Sequence, residues 1–136
     1  MKQLILDANV LVRFLVQDDP KQSAAATKLM SAAQSGVFEL LVDPMIVAET
    51  VYVLVAHYKR ARVDVANSLL ATVRSPFVRV EKEHQLVDAL LRFRDHGVDF
   101  ADAWLAAIAA SGAHEIASFD RDLDKFKDVK RLEPKG

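Results

Sequence analysis

Acidic residues follow three of the short apolar runs in this 136-residue chain, and carboxylates are the side chains here with the clearest chemistry. Asp7, Asp43 and Asp120 each stand directly after such a run. Taken alone, an Asp between a strand and a helix is most often an N-cap. We assign Asp43 to capping only, because Pro44 follows it and proline favours the first helical position. Asp7 and Asp120 stay open to both roles.

Glu49 is the single charged residue between Met45 and Ala56. A helix that is apolar on nearly every side is expected to be buried on nearly every side. An unpaired carboxylate there costs several kcal/mol, so we expect Glu49 to be neutralised, paired with a base or bound to a cation. A buried Glu–Arg pair, or a Glu reaching out at the helix edge, is the alternative interpretation.

Asp99 and Asp102 form a further acidic pair, three residues apart at the start of a predicted helix. This spacing places both carboxylates on one side of the first turn. We expect Asp99 to cap the helix. Asp102 lies further in, among alanines whose small side chains let the helix approach the sheet, so its carboxylate is expected near the strand ends.

A parallel sheet could bring Asp7, Glu49, Asp102 and Asp120 together, because such folds bind ligands at the carboxyl ends of their strands. Four neighbouring carboxylates repel one another unless a divalent cation lies between them. All-oxygen sites suit Mg²⁺ or Mn²⁺ rather than zinc. The chain has no cysteine, and its four histidines show no ligand spacing. The acids therefore predict a magnesium or manganese site.

Short buried strands that alternate with longer helical stretches must position these acids, which predicts an α/β fold with a parallel sheet. The length is that of a single domain, which we expect to span residues 1–136 as a three-layer α/β/α sandwich. Gly36, Gly97 and Gly112 each follow a helical stretch and are expected to be left-handed C′ residues. The predicted strands are 4–6, 38–42, 77–80, 116–119 and 129–132, and the predicted helices are 20–35, 44–58, 63–74, 83–96 and 99–111.

The net charge and the distribution of apolar residues exclude several classes of protein. Eighteen basic against nineteen acidic residues give a net charge of −1, so the whole molecule does not attract nucleic acid. The N-terminal apolar stretch is interrupted by Asp7, Asn9 and Arg13 and does not resemble a signal peptide. No run is long enough to span a membrane. We expect a soluble, cytoplasmic protein.

Other α/β enzymes fit the motifs less well. A haloacid-dehalogenase-like phosphatase needs a second Asp two residues after the first, where this chain has Asn9. The chain also has no dinucleotide fingerprint, P-loop or nucleophile elbow.

Four segments together resemble a PIN domain, specifically the VapC-type ribonuclease toxins of bacterial type II toxin–antitoxin modules. The segments occur in the family's order and spacing over almost the whole chain, and they are Leu4–Val12, Val47–Leu54, Asp99–Ala103 and Ser118–Asp120. The resemblance implies one parallel sheet of about four or five strands, a homodimer, and an antitoxin that blocks the site and carries the binding to operator DNA.

The resemblance also implies roles for individual residues. Asp7 and Asp102 match metal ligands of the family, and Glu49 and Asp120 match its second and fourth acids. Asn9 matches a polar neighbour of the first acid, and Ser118 replaces the family's usual threonine. Asp99 is an alternative to Asp102 as the ligand in that turn. Trp104 is bulky for its place after the third acid.

The expected activity is Mg²⁺- or Mn²⁺-dependent hydrolysis of RNA by an activated water. Two alternatives stay open: a non-catalytic PIN-like interaction module, and a metal-dependent phosphatase or nuclease with another substrate. The basic residues favour modest, salt-sensitive RNA binding.

Overall fold

The computed structural model describes residues 2–136. Contacts between residues group the chain into two compact units, the first ending at Glu81 and the second beginning at Lys82. The single domain over 1–136 stays a prediction. The first unit contains β1 (Lys2–Ile5), α1 (Ala8–Val16), α2 (Pro20–Gln34), β2 (Phe38–Val42), α3 (Pro44–Tyr52), α4 (Arg62–Val73) and β3 (Val78–Val80), and the second contains α5 (Glu83–His96), α6 (Phe100–Gly112), β4 (Glu115–Ala117) and β5 (Lys130–Leu132).

A three-stranded parallel sheet in the order β1-β2-β3 organises the first unit. Leu4, Leu40 and Val78 lie side by side across the three strands, and the last two are fully buried. Helix α2 packs against β2, and α4 packs against β3. Because all three strands run the same way, the chain leaves each of them at the same edge of the sheet.

Aspartates occupy N-cap positions of helices in the first unit. Asp43 accepts a hydrogen bond from the Met45 amide at 2.8 Å, with Pro44 at the first helical position, so its predicted capping role is confirmed. Asp19 caps α2 in the same way, through the Gln22 amide at 2.9 Å.

The second unit is built on α5 and α6, which pack against each other, and on the parallel pair β4-β5. A 3₁₀-helix, Arg121–Lys125, joins the two strands and contacts α6 and β5. Ala109 of α6, Ile116 of β4 and Leu123 of the 3₁₀-helix form a buried cluster. This core fixes the 3₁₀-helix close to α6.

The predicted α/β class and its parallel strands are confirmed. Residues 2–136 contain five strands, arranged as a sheet of three and a pair. Gly36 and Gly97 have the expected positive φ, but Gly112 is the last residue of α6, and Ala113 takes the left-handed position instead. Helix α1 was not predicted from the sequence. The predicted helix 44–58 ends at Tyr52 and continues as a π-helix over Val53–His57.

Within residues 2–136, the helices are too short or too polar for any of them to cross a membrane.

Candidate metal centre

Three carboxylates of the second unit lie close enough together to share one cation. Asp102, Asp120 and Asp122 each present a carboxylate oxygen, and these oxygens lie within 4.8 Å of one another. Asp102 is half-buried, and the other two are exposed. We call these three residues the aspartate cluster.

Helix α6 carries Asp102 in its first turn. The helix begins after Asp99, whose extended backbone occupies the N-cap position while its side chain makes no capping hydrogen bond. Ala103 and Ala106 are fully buried, and α6 packs against β4 and the 3₁₀-helix. Ala109 of α6 packs against Ile116 of β4 and Leu123 of the 3₁₀-helix, and this packing brings the helix that carries Asp102 next to the chain that leaves β4.

Asp120 stands at the turn between β4 and the 3₁₀-helix. Its carboxylate accepts a hydrogen bond from the Asp122 amide at 2.9 Å, so it caps the 3₁₀-helix as well as belonging to the cluster. The amide of Asp120 in turn donates to Ser118 Oγ at 2.9 Å. These two bonds fix the turn that aims Asp120 and Asp122 in the same direction.

The pKa values of Asp102 and Asp120 are shifted in opposite directions. Burial first, and then a hydrogen bond to Asp120 and the charges of Asp120, Asp99 and Asp122, raise the pKa of Asp102 from 3.8 to about 6. The Asp122 amide and the hydrogen bond from Asp102 lower the pKa of Asp120. Below about pH 6, in the absence of a cation, Asp102 therefore carries a proton that Asp120 accepts, as expected for like charges at close range.

Stability of the metal-free protein should depend on pH through Asp102. Its raised pKa favours the folded state fully below about pH 4, and this contribution is lost as the pH rises to about 6. The lowered pKa of Asp120 changes the stability of the folded state only below about pH 4. We expect the melting temperature of the wild type, relative to Asp102→Asn, to fall between about pH 4 and about pH 6. A difference that stays constant across this range would contradict the raised pKa.

The chemistry of the cluster fits a hard divalent cation. All its donors are carboxylate oxygens, which suit Mg²⁺ or Mn²⁺. A cation would also relieve the repulsion between the ionised Asp102 and Asp120, as a proton on Asp102 does below about pH 6. Lys125 Nζ lies 3.6 Å from an Asp122 oxygen, but this ion pair is solvent-exposed and therefore weak enough to yield to a bound metal.

Asp7 and Asn9, which the sequence also predicts for the site, belong to the first unit. Asp7 is exposed and lies two residues after the end of β1. Its carboxylate accepts a hydrogen bond from the Ala8 amide at 2.7 Å, so it caps α1. Asn9 is exposed in the first turn of the same helix. Their membership of the metal site stays a prediction.

Glu49 is exposed, and the expectation that it is buried in an apolar helix is wrong. It shares one face of α3 with Met45, which is 75% exposed, and Tyr52, which is 72% exposed. The opposite face carries Val47 and Val51, which are buried. The helix is apolar on both faces, so its composition did not reveal which one packs inward. Nothing about the burial of Glu49 now requires a partner.

Of the residues predicted for the site, the structure places Asp102 and Asp120 in one cluster and leaves Asp99 outside it, at the N-cap of α6. Asp122, the third member of the cluster, was not predicted from the sequence. The available signal was the Asp-x-Asp spacing of Asp120 and Asp122, since a tight helical turn that begins at the first acid brings the second beside it. Trp104 lies half-buried two residues beyond Asp102 in α6.

The fold is that of an α/β protein, and it carries a cluster of three carboxylates that could hold a cation. The chain belongs to the PIN domain family, whose model matches residues 4–130. Two relatives are similar over nearly the whole length: the VapC ribonuclease Mb1869c of Mycobacterium bovis and ribonuclease VapC13 of Mycobacterium tuberculosis. Each is 29% identical over 133 residues, which cover 95% of this chain and 98% of the relative. The resemblance inferred from the four segments is confirmed.

Proposed function

We propose that this protein is a metal-dependent endoribonuclease that acts as the toxin of a toxin–antitoxin pair. The observation that carries this proposal is the aspartate cluster, placed on an α/β fold of the PIN domain family. The names of the two relatives, both ribonucleases of the VapC type, support RNA as the substrate.

The metal site that we propose extends beyond the aspartate cluster. By the family resemblance, Asp7 and Asp102 hold the ion, and Glu49 and Asp120 orient water or hold a second ion. The spacing of the carboxylate oxygens supports adding Asp122 to this set. Supporting roles are proposed for Asn9 beside Asp7 and for Ser118, which bonds the Asp120 amide. Mg²⁺ is the proposed ion, with Mn²⁺ as a substitute.

In the proposed hydrolysis, the acidic side chains hold the metal ion and orient the attacking water. A bound divalent ion would supply charge neutralisation at the phosphate and a lowered pKa for water. With an ion in place, Asp102 and Asp120 would both be ionised and would hold it through their carboxylate oxygens. Glu49 or Asp120 accepts a hydrogen bond from the attacking water and orients it. The oxygen attacks phosphorus in line, the P–O3′ bond breaks, and the leaving oxygen takes a proton, which gives 3′-hydroxyl and 5′-phosphate ends without a covalent enzyme intermediate.

The proposed partners follow from the same resemblance. We expect a homodimer that binds a small antitoxin protein, with operator DNA contacted only through the antitoxin. The proposed location is the cytoplasm, where both the RNA substrate and the antitoxin are available.

The test is cleavage of total RNA by the purified wild-type protein in Mg²⁺, in Mn²⁺ and in EDTA. We expect 5′-phosphate ends with either metal and no cleavage in EDTA. Expression without the antitoxin should slow growth, and co-expression should give a stable complex. Cleavage that persists in EDTA would exclude the proposed mechanism. Cleavage of DNA or of small phosphate esters but not RNA would indicate a different metal-dependent hydrolase.

A further inference from the structure

Arg131 of β5 donates hydrogen bonds to residues on both sides of Asp120 and Asp122. Its Nε and Nη2 donate to the two oxygens of Asp124 at 3.0 and 3.1 Å, in a bidentate pair. Its Nη1 donates to the Ser118 carbonyl at 3.0 Å and to Glu133 at 3.1 Å. The Arg131 side chain is only 12% exposed, whereas that of Asp124 is 54% exposed, so the guanidinium is more shielded from water than the carboxylate that it binds.

The two anchor points enclose the acids. Ser118 lies two residues before Asp120, and Asp124 lies two residues after Asp122. Ser118 is the residue whose hydroxyl accepts from the Asp120 amide, and its own amide donates to the Leu132 carbonyl at 3.0 Å. One guanidinium therefore ties β5 to both ends of the segment 118–124.

We propose that Arg131 is a positioning residue, which holds segment 118–124 in the conformation that aims Asp120 and Asp122 at the metal. This inference rests on the proposed function, since it assigns a task to Arg131 in metal binding. Only arginine offers donors in a planar fork that can bind a carboxylate in two places and a carbonyl in a third. Outer groups that orient metal ligands commonly change metal affinity by about 10–100-fold when they are removed.

Two possible roles of Arg131, as a positive charge and as a group that holds the segment in place, predict opposite changes in metal affinity when it is removed. If the guanidinium acted only through its positive charge, its removal would relieve repulsion and strengthen the binding of a cation. If it acts by holding the segment, its removal lets the two carboxylates move apart and weakens binding. The sign of the change in metal affinity therefore separates the two explanations.

Arg92 provides a matched control in the same unit. Its side chain is 11% exposed, and it binds Asp88 at 3.0 Å and Asp128 at 2.8 Å, so it is also a shielded arginine with two carboxylate partners. None of these bonds reaches segment 118–124. Loss of Arg92 should reduce stability as loss of Arg131 does, without changing metal affinity.

The experiment measures Mn²⁺ affinity by calorimetry without RNA, and melting temperature, for wild type, Arg131→Gln, Arg131→Lys and Arg92→Gln. We expect Arg131→Gln to weaken Mn²⁺ binding by about tenfold and Arg131→Lys to weaken it less. Arg92→Gln should keep the wild-type affinity despite a lower melting temperature. If Arg131→Gln does not fold, Arg131→Lys carries the same test, because lysine keeps the positive charge but loses the planar fork, and weaker binding is expected.

Unchanged or tighter Mn²⁺ binding in the Arg131 variants would overturn the inference, as would an equal loss in Arg92→Gln. If the wild type binds Mn²⁺ and cleaves RNA in these cases, the proposed function stands and only the role of Arg131 fails. A wild-type protein that neither binds Mn²⁺ nor cleaves RNA would overturn both.

Discussion

Asp102→Asn should lower metal-dependent RNA cleavage by at least about a hundredfold, because removal of a group that only supports a metal ligand already costs about 10–100-fold. Asparagine keeps the size of the side chain, so α6 is expected to form as before. The substitution removes a negative charge from the centre of the aspartate cluster. We therefore expect the metal-free variant to be more stable than wild type at neutral pH, while its Mn²⁺ affinity falls.

Asp99→Asn is the matched comparison for Asp102→Asn. It removes the same charge three residues earlier, at the N-cap of the same helix, where the side chain makes no capping bond and lies outside the cluster. Only a small loss of cleavage is expected. Initial rates at saturating Mg²⁺ distinguish the two variants. A larger loss in Asp99→Asn than in Asp102→Asn would show that the ligand has been misassigned.

Part of the metal centre was predictable because strand ends and helix starts are easy to locate in this sequence. Asp120 follows a short apolar run, and the alanines around Asp102 indicate a helix that can pack closely against a sheet. Both predictions depend on local patterns of size and polarity. Asp122 could not be found in this way, because its place in the cluster depends on a 3₁₀-helix that begins directly after Asp120.

Glu49 shows where hydrophobic composition stops being informative. A helix with apolar residues on all sides is expected to be buried, yet α3 leaves Met45 and Tyr52 exposed beside Glu49. Folded proteins retain much apolar surface, so an apolar side chain does not by itself imply burial. The role of Glu49 now depends on the family resemblance alone.

Helix boundaries depended on backbone details that periodicity does not encode. Helix α1 has only nine residues and begins at the Asp7 cap, and an apolar run of that length is equally compatible with a strand. The change from α-helix to π-helix after Tyr52 shifts the hydrogen-bond partners by one residue without any proline or glycine to mark it.

Asp7→Asn is expected to abolish cleavage as fully as Asp102→Asn does, by at least about a hundredfold. Asp7 caps α1 through the Ala8 amide, and asparagine caps helices as well as aspartate does. The substitution therefore preserves the start of the helix and removes only the charge. If Asp7 is a metal ligand, Mn²⁺ affinity and RNA cleavage should fall together while the melting temperature of the metal-free protein does not decrease.

Asp43→Asn is the control, because Asp43 also follows a strand of the first unit and also caps a helix, through the Met45 amide at 2.8 Å. We assign it no role beyond capping, so the variant should cleave RNA at the wild-type rate. The two variants make the same chemical change in the same structural setting, so a difference between them isolates the contribution of the Asp7 charge to metal binding. Equal rates for Asp7→Asn, Asp43→Asn and wild type would mean that Asp7 is only a helix cap and that the metal is held without it.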